Sequence, residues 1–170
     1  QIAPTNGIVA DDVNGDGISD ILIIGNDYGN EIFIGRLDAS VGLLLLGDGK
    51  GNFEPVNPRE SGFVVPGDAK SLVKLSTSQG APLYFASQNR GKLLAFRSSY
   101  EEAKTLSFGQ DAMALILELE NGKRQRFDLS LGSGFGSQST REITLPKGTK
   151  SAVMIDYKGQ MTPVGIFTMN

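Results

Sequence analysis

Glycine and proline interrupt this chain so often that long helices have no room to form. The 170 residues carry 22 glycines and 7 prolines, spread along the whole length. Between them stand short apolar runs: Ile21 to Ile24, Val41 to Leu46, Leu83 to Ala86, Leu93 to Phe96. Short apolar runs bounded by turn-forming residues are the pattern of many short strands joined by tight turns. The expected class is all-β, and only Ser99 to Lys104 reads as a turn of helix.

The most specific run in the first half is Asp12-Val13-Asn14-Gly15-Asp16-Gly17-Ile18-Ser19-Asp20. Oxygen side chains fall on alternate positions 12, 14 and 16, a glycine follows, and a carboxylate closes the run at 20. This is how a short loop wraps oxygen donors around a hard cation such as calcium. The alternative is an Asp/Asn/Gly turn that bonds its own backbone and binds nothing, but three carboxylates in nine residues would repel one another without a cation. An EF-hand needs a bidentate Glu at the twelfth position, and a dockerin-like loop needs Asp there. Ile23 occupies that position, so both readings fail. Closure instead falls at the ninth position, Asp20, just before a strand. The expected ligands are the side chains of Asp12, Asn14, Asp16 and Asp20 with the carbonyl of Ile18. Gly15 and Gly17 supply the positive φ that the tight path requires. Affinity in such an exposed loop is on the order of 10⁻⁵ to 10⁻³ M.

Composition closes several other routes. The chain has no histidine and no cysteine, which removes disulfides, zinc-thiolate sites, thiol nucleophiles and the usual general base. A net charge of −3, with Lys and Arg scattered, argues against nucleic acid and anionic membrane as partners. No stretch approaches the roughly 18 apolar residues of a spanning helix. The chain starts at Gln1 rather than Met and is read as a portion of something longer.

Two units are expected. In residues 1–98, a short strand at Gly7 to Ala10 enters the cation loop and Ile21 to Ile24 leaves it. Val41 to Leu46 leads into a glycine-rich turn, Gly47 to Asn52, and then Phe53. A second set of runs, Ser71 to Leu75, Leu83 to Ala86 and Leu93 to Phe96, repeats the order. Where acidic ligands belong, the second set has Ser76-Thr77-Ser78-Gln79-Gly80, so one cation is expected in all. Repetition of this kind is how propeller blades look in sequence. In residues 99–170, Ala112 to Glu120 and Lys123 to Leu131 flank Asn121-Gly122, a hairpin signal of type I′. Arg141 to Leu145, Ser151 to Tyr157 and Gln160 to Phe167 complete a small antiparallel sandwich or sheet.

Asp12 to Asp20 followed by Ile21-Leu22-Ile23-Ile24-Gly25-Asn26 resembles the cation loop and strand of FG-GAP or VCBS repeats, the blades of integrin-α-like β-propellers. Leu44 to Phe53 resembles the outer hairpin of such blades. Gly132-Ser133-Gly134-Phe135-Gly136-Ser137-Gln138-Ser139 resembles the domain that follows these repeats in the UnbV and cartilage-acidic-protein group. The resemblance implies a calcium-stabilised adhesion or ligand-binding scaffold, extracellular, at the cell surface or periplasmic. It implies about two blades, an incomplete propeller, since closure takes four to eight. Packing on upstream blades or self-association through exposed blade edges follows from that shortfall.

Catalytic constellations are weak. Ser71-Leu72-Val73-Lys74 matches the S-x-x-K string, but that chemistry needs a helix and this segment reads as strand. The clusters Gly47-Gly49-Gly51 and Gly132-Gly134-Gly136 lack phosphate-binding spacing. The expectation is a non-catalytic calcium-binding β module that grips a protein or glycan. Two alternatives stand beside it. One is a calcium-using hydrolase or lyase acting on polysaccharide, with Asp11, Asp27 and Tyr28 beside the loop. The other is a purely structural assembly domain.

Overall fold

A computed structural model describes residues 2–75, 81–98, 105–132, 134 and 136–165. The chain divides into two compact units, Gln1–Glu102 with Gly132–Thr140, and Ala103–Leu131 with Arg141–Asn170. The fold is all-β, built from antiparallel sheets with no closed barrel among the described residues.

The first unit opens with four strands, β1 (Thr5–Asp11), β2 (Asp20–Gly25), β3 (Leu43–Gly47) and β4 (Phe53–Val56). They form an antiparallel meander in sequence order, as expected of one blade. A one-turn helix, α1 (Pro58–Ser61), leads to β5 (Ala69–Leu75), β6 (Leu83–Gln88) and β7 (Leu94–Arg97), a second antiparallel meander. Apart from β4, where the sequence points only to Phe53, each strand follows an expected run to within a residue or two at its ends. Residues of alternating parity on β1 face inward, so Gly7, Val9 and Asp11 are buried while Ile8 and Ala10 are exposed.

The core forms where the two meanders meet. Leu22 and Ile24 of β2 pack with Leu72 of β5, Tyr84 and Ala86 of β6, and Phe63 and Val65 of the connection. Each large apolar side chain buried here contributes about 1.5–3 kcal/mol. The approach is close at Gly7. A Cβ there would stand 2.8 Å from the Leu72 Cβ and 2.9 Å from the Ile24 Cγ1, so only glycine fits.

Helix α1 was not anticipated, whereas the expected turn at Ser99 to Lys104 lies outside the described residues. Its local logic is ordinary. The Asn57 side chain accepts from Arg59 N–H at 2.9 Å, Pro58 takes the first helical position, and Gly62 ends it at φ 67°. Asn cap, proline start and glycine stop are the known asymmetry of helix ends.

The second unit contains β8 (Thr105–Ser107), β9 (Ala112–Leu119), β10 (Arg124–Asp128), β11 (Glu142–Thr144), β12 (Thr149–Asp156) and β13 (Met161–Val164). The order β10-β9-β12-β13 makes one antiparallel sheet, and β11 pairs with β8, a strand not foreseen. Leu115 and Leu117 of β9 are fully buried, and Leu119, next on the same face, is half-buried. The hairpin at Asn121-Gly122 forms, but its turn is not type I′. Gly122 has φ 79° while Asn121 does not have positive φ. Gly122 N–H donates to Leu119 O and Leu119 N–H to Lys123 O, both at 2.9 Å. That is a three-residue loop, a type I turn followed by a left-handed glycine. The Asn121 side chain accepts from Lys123 N–H at 3.0 Å, so it caps the turn instead of adopting positive φ.

Edge strands β4 and β13 carry Pro55 and Pro163. Proline cannot donate to a further strand, which suits an edge. No helix among the described residues is long and apolar enough to cross a membrane.

Candidate functional site

The Asp12 to Ser19 loop joins β1 to β2, and its base is the Asp11–Asp20 pair of the antiparallel ladder. The two glycines adopt the left-handed region, Gly15 at φ 80° and Gly17 at φ 87°. The Asp12 carboxylate lies inside the loop. Its Oδ1 accepts from Gly15 N–H at 2.7 Å and its Oδ2 from Gly17 N–H at 2.9 Å. The Asn14 Oδ1 accepts from Asp16 N–H at 2.9 Å, and its Nδ2 donates to the Asp16 Oδ2 at 3.0 Å. The Asp16 Oδ1 accepts from Ile18 N–H at 2.8 Å. These are successive Asx turns, the local means by which Asp and Asn shape a loop.

Asp20 is fully buried. Its Oδ2 accepts from Val13 N–H and its Oδ1 from Gly47 N–H, both at 3.0 Å. Burial raises its pKa above the ordinary carboxylate value, the N–H groups of Gly47 and Val13 oppose the rise, and the nearby Asp16 adds to it. A buried carboxylate held, among the described residues, by neutral donors is one that a cation would favour. The β3–β4 turn closes over this end. A Cβ on Gly47 would lie 2.3 Å from the Ser19 carbonyl oxygen, so position 47 requires glycine. In that turn the Asn52 amide and the Lys50 N–H hold the Asp48 carboxyl below its usual range. The loop is also tied to the second meander, where Ser98 Oγ donates to Val13 O at 2.6 Å.

The expected ligands Asp12, Asn14, Asp16, Ile18 and Asp20 therefore share one loop. Among the described residues no three acidic side chains converge into a ready coordination pocket. The all-oxygen donor set nevertheless fits calcium in kind. A carboxylate oxygen has two lone pairs, so one that accepts an N–H retains a site for a cation. The Ser76 to Gly80 segment, read as a loop without ligands, lies outside the described residues.

Asp27 and Tyr28 do not join the loop. They follow the far end of β2 from Asp20, and a strand of that length spans roughly 20 Å. Asp11 is committed elsewhere. Its Oδ1 lies 2.6 Å from Lys74 Nζ and its Oδ2 accepts from Tyr84 O–H at 2.6 Å. All three side chains are buried, and burial followed by the Asp11 charge pushes the Tyr84 phenol far up. Lys74 is thus a buried strand residue, not the lysine of a helical S-x-x-K, and Ser71 Oγ bonds Ser87 Oγ at 2.7 Å.

This Lys74–Asp11–Tyr84 cluster was missed in sequence. Its signal is the period of two: extending the inward face of β1 beyond Val9 reaches Asp11, and that of β5 beyond Leu72 reaches Lys74. A second missed residue is Asn26, fully buried at φ 90°. Its amide donates to Ser40 O at 2.7 Å and Gly67 O at 3.0 Å, and its oxygen accepts from Ser40 N–H at 2.9 Å. It pins the connection after β2 to the start of β5.

Neither a scan against protein-family models nor a search of curated proteins returns a match for this chain.

Proposed function

We propose that this chain is a non-catalytic, calcium-binding β module of a larger extracytoplasmic protein, gripping a protein or glycan partner through loops at the ends of its blades. One observation carries the reading: a glycine-shaped loop of oxygen donors, closed by a buried carboxylate that has no cationic partner among the described residues. Asp12, Asn14, Asp16 and Asp20, with the Ile18 carbonyl, would hold the ion and stiffen the turn between β1 and β2. The likeness of Asp12 to Asn26 and Leu44 to Phe53 to FG-GAP or VCBS blades supports the same reading, as do the two meanders packed through one core.

The hydrolase or lyase alternative needs carboxylates gathered at the loop. The commitment of Asp11 to Lys74 and the distance of Asp27 along β2 weigh against it. Screening acidic and neutral polysaccharides with and without calcium distinguishes the two, since turnover that needs calcium would favour the enzyme. The metal itself is tested by thermal unfolding in calcium and in chelator, with Asp16→Ala as the control. A melting curve indifferent to chelator in the unaltered protein would sink the reading.

A further inference from the structure

A small lobe stands on the first unit at the strand ends opposite the cation loop. Its base is closed by Asp27 and Leu37, which exchange two backbone hydrogen bonds of 2.9 Å. Its tip is a turn in which Ile34 and Gly35 N–H donate to Glu31 O. On that tip Ile32, Phe33 and Ile34 are 101%, 83% and 53% exposed. Three adjacent apolar side chains held in water mark a surface that something covers.

Beside the lobe lies a cleft of about 470 Å³, lined in part by Tyr28, Arg36, Asp68, Gln88, Asn89 and Arg90. The Arg36 guanidinium sits 4.6 Å from the centroid of the Tyr28 ring, and Tyr28 O–H donates to Pro66 O at 3.1 Å. This stacking orients the arginine in advance. Arg90 caps the turn between β6 and β7 at φ 55°, a strained conformation for any residue but glycine. Such strain, where it is retained, clusters at binding sites.

The charge balance of the cleft is set by which groups are already satisfied. The Asp68 Oδ1 lies 2.7 Å from Lys70 Nζ, and its Oδ2 accepts from Asn89 Nδ2 at 3.0 Å. Among the described residues neither Arg36 nor Arg90 has an acidic partner. Lys70 is shared with Asp27, 3.4 Å away, so among the described residues Arg36 and Arg90 stand without an ion pair beside the apolar tip while Asp27 and Asp68 divide one lysine between them.

We propose that lobe and cleft together dock an acidic segment of a protein partner. An Asp or Glu carboxylate enters beside Arg36 and Arg90, and neighbouring apolar side chains cover Ile32, Phe33 and Ile34. The proposal deepens the binding-module reading and rests on it. A guanidinium prefers a carboxylate with two parallel N–H donors. Sugar hydroxyls would match Gln88 and Asn89 but leave the tip in water, which favours a polypeptide over a glycan. Anionic bilayers are held by clusters of roughly four to eight Lys and Arg, more than the pair of arginines that lines this cleft.

The test is selection of peptides from a random displayed library on the intact chain, then fluorescence anisotropy with the winners. Selected peptides should place Asp or Glu beside Phe, Leu or Ile. Binding should weaken about tenfold or more in Arg36→Gln/Arg90→Gln, weaken also in Phe33→Ser, and fall as ionic strength rises. Unchanged melting curves would show that both variants fold. Winners without carboxylates, or winners that bind the variants as tightly as the native chain, overturn the proposal. So does binding of galacturonate oligosaccharides or phosphatidylserine vesicles, lost in the same variants, with no peptide selected. Calcium-dependent melting measured in parallel separates the failures, because it persists if only the docking site is wrong and is absent if the module reading is wrong.

Discussion

Replacing Lys74 with methionine should cost the first unit more than any exposed substitution in it. The Lys74 and Asp11 side chains are only 6% and 5% exposed, and their charged atoms lie 2.6 Å apart. Methionine matches the lysine stem in volume, so packing is nearly conserved and the loss is electrostatic. It leaves the Asp11 carboxylate buried without the Lys74 ammonium that stood 2.6 Å away. Breaking a buried pair in this way costs about 3–5 kcal/mol. The Tyr84 hydroxyl still donates to Asp11, which favours the lower part of that range. In a domain near 100 residues each kcal/mol shifts the melting temperature by about 4–8 °C, so a fall of roughly 12 °C or more is expected. Removing both charges in Lys74→Met/Asp11→Leu should restore much of the loss, leaving about 1–3 kcal/mol to which the Tyr84 hydroxyl, deprived of its Asp11 acceptor, contributes. Adding Tyr84→Phe should recover that hydroxyl's share. Urea unfolding followed by circular dichroism reads all four proteins. If Lys74→Met costs under about 1 kcal/mol, or if the double variant is no better than the single, the reasoning fails.

Two further outcomes follow from the strand ends opposite the cation loop. Asn26→Ala strands the Ser40 carbonyl and N–H and the Gly67 carbonyl, and places a Cβ residue without side-chain compensation at φ 90°. A loss of about 2–4 kcal/mol is expected. Asn26→Gly should recover roughly 1 kcal/mol of it by relieving the backbone, as urea midpoints would show. Burial opposes ionisation of Asp68, but hydrogen bonds from Lys70 and Asn89 outweigh it and hold the carboxyl below its ordinary value. Its contribution is thus complete above the unfolded carboxylate pKa and lost as pH falls through the depressed folded value. Acid titration of stability should show a shallower fall in Asp68→Asn than in the native chain, and parallel curves would contradict the assignment.

Local chemistry was legible in the sequence where neighbours in the chain decide the outcome. The Gly15 and Gly17 backbone, the strands flanking the loop, and the turns at Gly47 to Asn52 and Asn121-Gly122 are of this kind. The turn type at Asn121 was misjudged, because the asparagine side chain bonds Lys123 N–H and removes the need for positive φ. Helix α1 went unseen because its signals occupy only Asn57, Pro58 and Gly62, with no apolar period. What remained out of reach depends on residues far apart in the chain. Lys74 lies 63 residues and Tyr84 73 residues from Asp11, and no pattern in one sequence pairs them before the strands are docked. The cleft beside Arg36 and Arg90 is assembled the same way, from three separate connections.

Calcium held by the Asp12 to Asp20 loop, as proposed, should stiffen it and stabilise the folded chain. A ligand that binds only the folded state stabilises it by RT ln(1 + [L]/Kd), about 2.7 kcal/mol at a hundredfold excess over Kd. For a loop of Kd near 10⁻⁴ M, roughly 10 mM calcium should raise the melting temperature by about 10 °C. The direct measurement is differential scanning calorimetry in calcium and in chelator, on the native chain and on Asp16→Ala. A calcium-dependent rise is expected in the native protein and should vanish in the variant. Identical melting in calcium and chelator, or a rise that survives in Asp16→Ala, would contradict it.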